Sequence, residues 1–299
     1  MPSPAMLEMM ERLSARRGAR PAGPPPIAEL REQFTTTGLP PYPRPEDVVV
    51  TEIPDAGVPA FWIDTPDADP QRVLLFVHGG GFSLGSVRSH GELASRVGLA
   101  SGTRVLFPEY RLAPEHPFPA AVDDVRAIWR WLREVLGAPA KSIAVIGDSA
   151  GANLLAGLLV ALRAEGQDLP AAGVFLSPVL DLTGSGDSMT EKDGVDPIFT
   201  PGMIHGIFAG YLAGANPLSP VASPLFAPLT GLPPILVQVG SAELVLSDSE
   251  RFYKEATAAG VAVELEVGEG LPHVYQAMRD TPEAAAATER IGEFLRQHL

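Results

Sequence analysis

The chain has 299 residues, 45% hydrophobic and 19% charged, a balance typical of a globular protein and too apolar for a disordered one. Its formal net charge of −14, with no local concentration of Lys and Arg, disfavours nucleic acid as a partner because phosphate would be repelled. The sequence has no cysteine, which excludes disulfides, thiolate metal sites and thiol nucleophiles.

The N-terminal residues predict a helix followed by an extended arm. Apolar side chains recur at helical spacing within residues 6–17, so this helix could cover an apolar surface. Prolines are dense from Pro21 to Pro45, which predicts an extended or turned segment. The first 20 residues lack the continuous apolar stretch of a signal peptide, and no membrane span is predicted, so we expect a cytoplasmic protein.

From residue 48 onwards the pattern predicts a mainly parallel sheet within one domain. Residues 48–53 and 58–63 are short β-prone runs that predict an antiparallel hairpin. Apolar runs then mostly alternate with segments of helical period. The predicted strands are residues 72–77, 104–107, 142–146, 172–176, 234–239 and 262–267, and the predicted helices are residues 89–100, 119–136, 150–164, 247–259 and 282–297. This alternation indicates the α/β class, with helices on both faces of the sheet.

An insertion of more than fifty residues separates the strands at 172–176 and 234–239, which is too long for an ordinary connection. It contains one helical face that is apolar, formed by Met203, Ile204, Ile207, Phe208, Tyr211 and Leu212. This helix is either packed into the core or placed as a lid over a pocket, and both can hold. Candidate pocket walls are Phe82, Phe208 and Tyr211, with Met6, Met9 and Met10, although such spacing is also typical of plain packing.

The segment Gly147-Asp148-Ser149-Ala150-Gly151 follows a predicted strand and opens a predicted helix. This is the context of a nucleophile elbow, a strained turn that exposes a catalytic serine. Glycines are required on both sides because strand and helix approach too closely for side chains. Ser149 is therefore the predicted nucleophile, and the alternative is a structural turn.

A second glycine-rich run, His78-Gly79-Gly80-Gly81, closes the predicted strand at 72–77. Backbone N–H groups there can face an anion, so we expect the N–H groups of Gly80, Gly81 and Ala150 to form an oxyanion hole. A phosphate-binding loop is disfavoured because the run lacks the ending of a P-loop and the spacing of a dinucleotide fingerprint. His78 is interpreted as a positioning residue.

These two motifs and Tyr-Arg-Leu-Ala-Pro-Glu at residues 110–115 together resemble the hormone-sensitive-lipase family of microbial carboxylesterases. The resemblance extends from about residue 48 to the C-terminus. It implies an α/β-hydrolase fold with a mostly parallel eight-stranded sheet, hydrolysis of short- to medium-chain acyl esters without cofactor or metal, and frequently a homodimer.

The resemblance also implies a small helical cap. Family members build it from an N-terminal segment and an insertion after the sixth strand. We therefore expect residues 1–45 and 181–215 to form the cap, and residues 46–180 with 216–299 to form the catalytic domain. Where the family usually has aspartate before Tyr110, this chain has Glu109, and Arg111 is expected to brace the oxyanion loop through charge-assisted hydrogen bonds.

A serine hydroxyl needs a base, and the order along the chain in this fold is Ser, then acid, then His. Five of the six histidines are disfavoured by position: His78, His90, His116, His205 and His298. The remaining one, His273, follows the predicted last strand and is the expected general base.

Two carboxylates compete for the role of the acid that holds the imidazole. Glu243 lies in the turn after the strand at 234–239, where the family's acid resides, although that acid is usually aspartate. Asp248 follows Ser247 at the start of the next predicted helix, where this pair would cap that helix. Glu243 is favoured and Asp248 remains the alternative.

The sequence thus predicts a serine carboxylesterase that works through an acyl-enzyme intermediate. One alternative is an amidase or peptidase of the same fold, because the same acyl-enzyme chemistry would serve it. Another is a non-catalytic small-molecule receptor that kept the fold and lost catalysis.

Overall fold

The computed structural model describes residues 1–18, 25–38 and 45–299. The predicted arm from Pro21 to Pro45 lies partly outside these residues. Within them, Ile27–Gln33 is helical and continues into a π-helical turn, Phe34–Gly38, so the prediction of an extended segment is wrong there. The physical reason is the position of the prolines: Pro26 is the N-cap of this helix, where a missing N–H costs no intrahelical hydrogen bond.

The elements of the described residues follow the predicted order closely. The strands are β1 (Val49–Ile53), β2 (Ala60–Asp64), β3 (Asp69–Val77), β4 (Thr103–Pro108), β5 (Ile143–Asp148), β6 (Ala172–Leu176), β7 (Ile235–Gly240) and β8 (Val263–Gly268). The helices are α1 (Pro4–Gly18), α2 (Ile27–Gln33), α3 (Val87–Ser101), α4 (Ala120–Arg130), α5 (Ala150–Ala164), α6 (Ser188–Glu191), α7 (Pro201–Leu212), α8 (Leu246–Ala258) and α9 (Pro282–His298).

The strands form one eight-stranded sheet in the order β1-β2-β4-β3-β5-β6-β7-β8. β1 pairs antiparallel with β2, and β2 with β4, whereas all other pairs are parallel. The predicted hairpin and the predicted mainly parallel sheet are both confirmed. The carboxyl ends of β3, β5, β6, β7 and β8 therefore lie along one edge, where ligands bind in open α/β sheets.

Helices cover both faces of the sheet, because successive side chains of each buried strand point to opposite faces. On β3, Leu74 and Phe76 belong to the core under α3 and α9, whereas Leu75 and Val77 belong to the core under α4, α5 and α8. Ile204, Phe208, Tyr211 and Leu212 of α7 pack onto the second core. Four of the six residues of the apolar face predicted for this helix are therefore buried, and Met203 and Ile207 are half-buried.

The N-terminal helix α1 packs near the carboxyl edge of the sheet. Met6 is fully buried in a small core with Leu271, Tyr275 and Met278, from the segment after β8. Ser3 donates a hydrogen bond to Glu283 of α9. Within the described residues, no helix is both long and apolar enough to cross a membrane.

Candidate active site

Ser149 lies on a strained turn between β5 and α5. Its φ of +51° is in a region that non-glycine residues rarely adopt. A Cβ on Gly151 would collide with the carbonyl oxygen of Val77, and one on Gly147 would lie 2.6 Å from the backbone of Gly151. Because strand and helix approach this closely, the elbow forms only with glycine at both positions.

The structure brings Ser149, Glu243 and His273 together at the carboxyl edge of the sheet. Nε2 of His273 lies 2.9 Å from Oγ of Ser149, and its Nδ1 lies 2.6 Å from Oε2 of Glu243. The three residues follow β5, β7 and β8, so the sheet itself sets their spacing. This is the geometry of an activated serine nucleophile.

Glu243 is fully buried and held by further hydrogen bonds. Its Oε1 accepts the hydroxyl of Ser177 at 2.7 Å and the N–H of Gly240 at 2.5 Å. Oγ of Ser177 in turn accepts the N–H of Val274, the residue after His273, at 2.9 Å. Ser177 therefore links the acid to the histidine loop and restrains both.

Asp248 does not contact the imidazole. Its Oδ2 accepts the N–H groups of Leu180 at 2.7 Å and Asp181 at 3.0 Å, in the segment after β6. Burial raises the pKa of Asp248 to about 7. Asp248 was also interpreted as a cap of the following helix, and that interpretation is wrong. Val245 is the N-cap of α8, and no side chain makes a capping hydrogen bond there.

The pKa of His273 is raised above its ordinary value. Burial alone lowers it, but the charge and hydrogen bond of Glu243 outweigh burial, with smaller contributions from the charges of Asp196 and Asp148. The charges and the hydrogen bond of Glu243 all stabilise the protonated form of this imidazole. The surroundings of His273 therefore favour binding of a proton by its imidazole.

The glycine-rich loop after β3 faces the same region. Gly80 and Gly81 have φ values of +111° and +61°, and within the described residues their N–H groups have no acceptor in the protein. Ala150 is the first residue of α5, so its N–H has no acceptor within the helix. The three N–H groups predicted to hold an oxyanion are therefore free of competing intrahelical or loop hydrogen bonds.

The glycine-rich loop at residues 78–81, called the oxyanion loop after its expected role, is braced mainly by Tyr110 and Asp148. The Tyr110 hydroxyl donates to the carbonyl of His78 at 2.8 Å, and the N–H of Gly79 donates to Oδ1 of Asp148 at 3.0 Å. Burial lowers the pKa of His78 to about 3, so this imidazole stays neutral, stacked on Tyr110. This agrees with the interpretation of His78 as a positioning residue.

Arg111 was expected to brace this loop, and that prediction is wrong. Its guanidinium makes hydrogen bonds of 2.7 to 3.0 Å to the carboxylate of Asp124 on α4, away from the glycines. Glu109, in place of the family's usual aspartate, accepts the N–H of Val87 at the start of α3 at 2.7 Å. The whole segment is structural, but it acts through Tyr110 and Glu109 rather than Arg111.

Comparison with known proteins gives one consistent family. The profile of the α/β-hydrolase fold matches residues 74–277, a range that includes Ser149, Glu243 and His273. The chain is 43% identical to an esterase of the bacterial hormone-sensitive lipase family whose crystal structure superposes with a TM-score of 0.94, over 100% of this chain and 99% of that one. The protein belongs to the bacterial hormone-sensitive lipase family of α/β-hydrolases.

Two curated relatives support this membership. An acetyl-hydrolase of Streptomyces hygroscopicus is 40% identical over 89% of this chain and 86% of its own length. An esterase of Acinetobacter venetianus is 35% identical over 85% of this chain and 84% of its own length. Both likenesses span nearly the full length of the chains, so they are not confined to the motifs.

Two residues of this family member that were not predicted as pocket walls also lie at the site. The ring of Phe199 meets the imidazole of His273 edge to face, with 5.2 Å between ring centroids. Ile207 of α7 lies over the oxyanion loop, since a Cβ on Gly81 would be 3.1 Å from its Cγ2. Neither belongs to a motif: helical spacing placed Ile207 on the apolar face of the predicted helix, whereas only the position of the insertion along the chain could have indicated Phe199.

The residues predicted as pocket walls are divided between two hydrophobic cores. The rings of Phe82 and Tyr211 stack at 3.7 Å and are almost fully buried, so they join α7 to the oxyanion loop. Phe208 is buried in the same core. Met6 belongs to a separate core behind the histidine loop, and its predicted role as a pocket wall is not supported. Among the described residues, no group of three or more His, Asp or Glu could hold a metal ion.

Replacement of Gly80 by alanine is expected to lower kcat by about 10²- to 10³-fold, the usual effect of losing one oxyanion donor. The new Cβ would collide with the carbonyl of Leu84 and displace the N–H. Gly57→Ala is the matched control, because its φ of +75° is also positive and nothing lies within 4 Å of the added Cβ. Steady-state kinetics on p-nitrophenyl acetate measure both. Equal activity of the two variants would exclude Gly80 from the oxyanion hole.

Proposed function

We propose that this protein is a serine carboxylesterase that hydrolyses short- to medium-chain acyl esters through an acyl-enzyme intermediate. The observation that carries the proposal is the hydrogen-bonded series from Ser149 through His273 to Glu243, beside the amides of Gly80, Gly81 and Ala150. A hydroxyl, a base and a cluster of anion-binding donors at one point are the requirements of acyl transfer.

In the first half of the reaction, His273 takes the proton of Ser149 as its Oγ forms a bond to the ester carbonyl carbon. The N–H groups of Gly80, Gly81 and Ala150 stabilise the negative charge that develops on the carbonyl oxygen. Collapse of the tetrahedral intermediate breaks the bond to the alcohol oxygen, and His273 donates its proton to that leaving group. The acyl group is then esterified to Ser149.

In the second half, His273 takes a proton from water as the water oxygen attacks the acyl carbon. The same amides hold the oxyanion, and the bond to Oγ of Ser149 breaks as His273 returns the proton to the serine. Glu243 keeps the imidazole in the required tautomer throughout and stabilises its protonated form. No cofactor or metal takes part in this scheme.

The relatives support ester hydrolysis in particular. The Streptomyces protein is named an acetyl-hydrolase and the Acinetobacter protein an esterase, which favours small acyl groups as substrates here. Phe199 beside His273 and Ile207 over Gly81 add apolar bulk close to Ser149. We infer that these side chains limit the length of acyl chain accommodated and give the site an apolar wall. The cap boundaries at residues 1–45 and 181–215 remain part of this proposal.

A panel of p-nitrophenyl esters of increasing acyl length tests the substrate class. We expect kcat/KM to be highest for acetate or butyrate and to fall for longer chains, because Phe199 and Ile207 crowd the site. A matched anilide measured alongside should be hydrolysed far more slowly. Preference for the anilide would favour the amidase, and the absence of any turnover would favour a receptor.

Two further predictions concern the whole protein. A cytoplasmic location and a homodimer are both parts of this proposal, and the homodimer is implied by the family. The ester substrate is the partner that the relatives support directly. Nucleic acid remains disfavoured by the net charge.

A further inference from the structure

Asp196 is a buried carboxylate in the insertion between α6 and α7, and the mechanism above does not use it. It is 1% exposed. A charged group in this position needs hydrogen-bond partners, because burial of an unpaired charge is costly. Within the described residues its carboxylate accepts backbone N–H groups from two parts of the site, and its backbone carbonyl accepts a hydrogen bond from a third.

The first connection reaches the acid. Oδ2 of Asp196 accepts the N–H of Leu244 at 3.0 Å. Leu244 directly follows Glu243 in the turn after β7, so the carboxylate restrains the backbone that carries the triad acid. Because Ser177 and Gly240 fix the side chain of Glu243, Asp196 completes the support of this residue from the side of the insertion.

The second connection reaches the histidine. Oδ1 of Asp196 accepts the N–H groups of Ile198 at 2.8 Å and Phe199 at 2.9 Å. These bonds fix the turn that presents the Phe199 ring to the imidazole of His273. The ring packs against one side of the imidazole, which limits the positions that His273 can take.

The third connection reaches the N-terminal helix. The guanidinium of Arg17, the penultimate residue of α1, donates to the carbonyl oxygens of Asp196 and Phe199. The same helix packs through Met6 against Leu271, two residues before His273. The helix, the insertion and the histidine loop thus form one continuous set of contacts.

We propose that Asp196 is a positioning residue that couples the insertion to the triad: it fixes the acid turn through Leu244, fixes Phe199 against His273, and places a negative charge near the imidazole. This inference rests on the proposed esterase mechanism. It adds to that mechanism a residue that touches neither substrate nor the reacting atoms.

The negative charge of Asp196 shifts the pKa of His273 in a direction that can be measured. The acidic groups acting on His273 are Glu243, Asp196 and Asp148, all of which raise its pKa against the opposing effect of burial. His273 must be neutral to accept the proton of Ser149, so the reaction slows as pH falls through this pKa. Loss of the Asp196 charge lowers the pKa of His273 and moves the acidic side of the pH–rate profile to lower pH.

The test is the pH dependence of the rate at which an alkyl fluorophosphonate labels Ser149, in wild type and in Asp196→Asn. The rate constant reports folded molecules alone, so partial unfolding of the variant reduces the labelled amount and leaves the position of the profile unchanged. We expect the plateau rate to fall by about 10-fold or more, as for other groups that orient a functional side chain, and the acidic side to move to lower pH.

Two variants complete the design. Asp193→Asn removes an exposed charge from the same segment and should leave plateau and profile as in wild type. Asp196→Glu keeps the charge on a longer side chain, so its profile should return toward that of wild type while its plateau rate stays low. A profile in Asp196→Asn that coincides with wild type, or an equal displacement in Asp193→Asn, would overturn the proposal.

This experiment distinguishes failure of the proposed esterase function from failure of the proposed role of Asp196. If wild type is not labelled at Ser149 at all, the proposed esterase function is wrong, and so is the role of Asp196 that rests on it. If wild type is labelled with a normal acidic profile and Asp196→Asn matches it, the role of Asp196 alone is wrong.

Discussion

The Ser149→Ala variant is expected to lose ester hydrolysis almost entirely, with kcat reduced on the order of 10⁵-fold or more. Without Oγ no acyl-enzyme can form, and what remains is the weak effect of the oxyanion donors on attack by water. Hydrolysis of p-nitrophenyl acetate under saturating conditions measures the loss. Binding of a slowly hydrolysed ester should change far less than kcat, because the apolar walls are intact.

Ser142→Ala is the matched control for this variant. Ser142 lies immediately before β5, at the opposite end of the strand that carries Ser149, and its hydroxyl donates to the carbonyl of Pro139. The same hydroxyl is removed at the far end of the strand, away from the elbow, so activity should stay near that of wild type. Undiminished hydrolysis by Ser149→Ala would refute the proposed nucleophile.

The Glu243→Gln variant is expected to lower kcat by about 10³- to 10⁴-fold, the effect seen when a triad acid becomes an amide. The amide presents no charge to the imidazole and permits the wrong tautomer. Loss of the charge also lowers the pKa of His273, since Glu243 provides the largest effect that raises it. The acidic side of the kcat/KM profile should therefore move to lower pH while the plateau falls.

Asp248→Asn separates the two candidate acids. Asp248 supports the backbone of Leu180 and Asp181 and makes no contact with His273, so its amide variant should keep kcat within a few-fold of wild type. Thermal unfolding of both variants shows whether either change acts through stability. A large loss of kcat in Asp248→Asn together with an active Glu243→Gln would reverse the assignment of the acid.

Much of the fold could be predicted from the sequence because the buried strands are continuous apolar runs. β5 and β6 are buried at every position, and α5 begins and ends where its period predicts. Helix α2 escaped prediction because prolines on both sides of it dominated the pattern. Prolines that flank a helix and prolines that prevent one look alike until the exact N-cap is known.

The site could be predicted where the chemistry restricts the residue type. Glycines at 147 and 151 are required by the contact of strand and helix, and the base had to follow the serine in chain order. The contacts of Arg111, Phe199 and Asp196 could not be predicted, because each depends on a partner from another element that the fold brings close. Charge and aromatic character indicate that a side chain needs a partner and leave the identity of that partner open.

Mass spectrometry after treatment with an alkyl fluorophosphonate tests the central claim most directly. The native protein should gain a single adduct, located on the peptide that contains Ser149. His273 lies 2.9 Å from its hydroxyl and can take the proton as the bond from Oγ to phosphorus forms and the P–F bond breaks to release fluoride. The adduct should be absent from Ser149→Ala. A native protein that remains unmodified in excess reagent, or one modified at a different residue, would contradict the account.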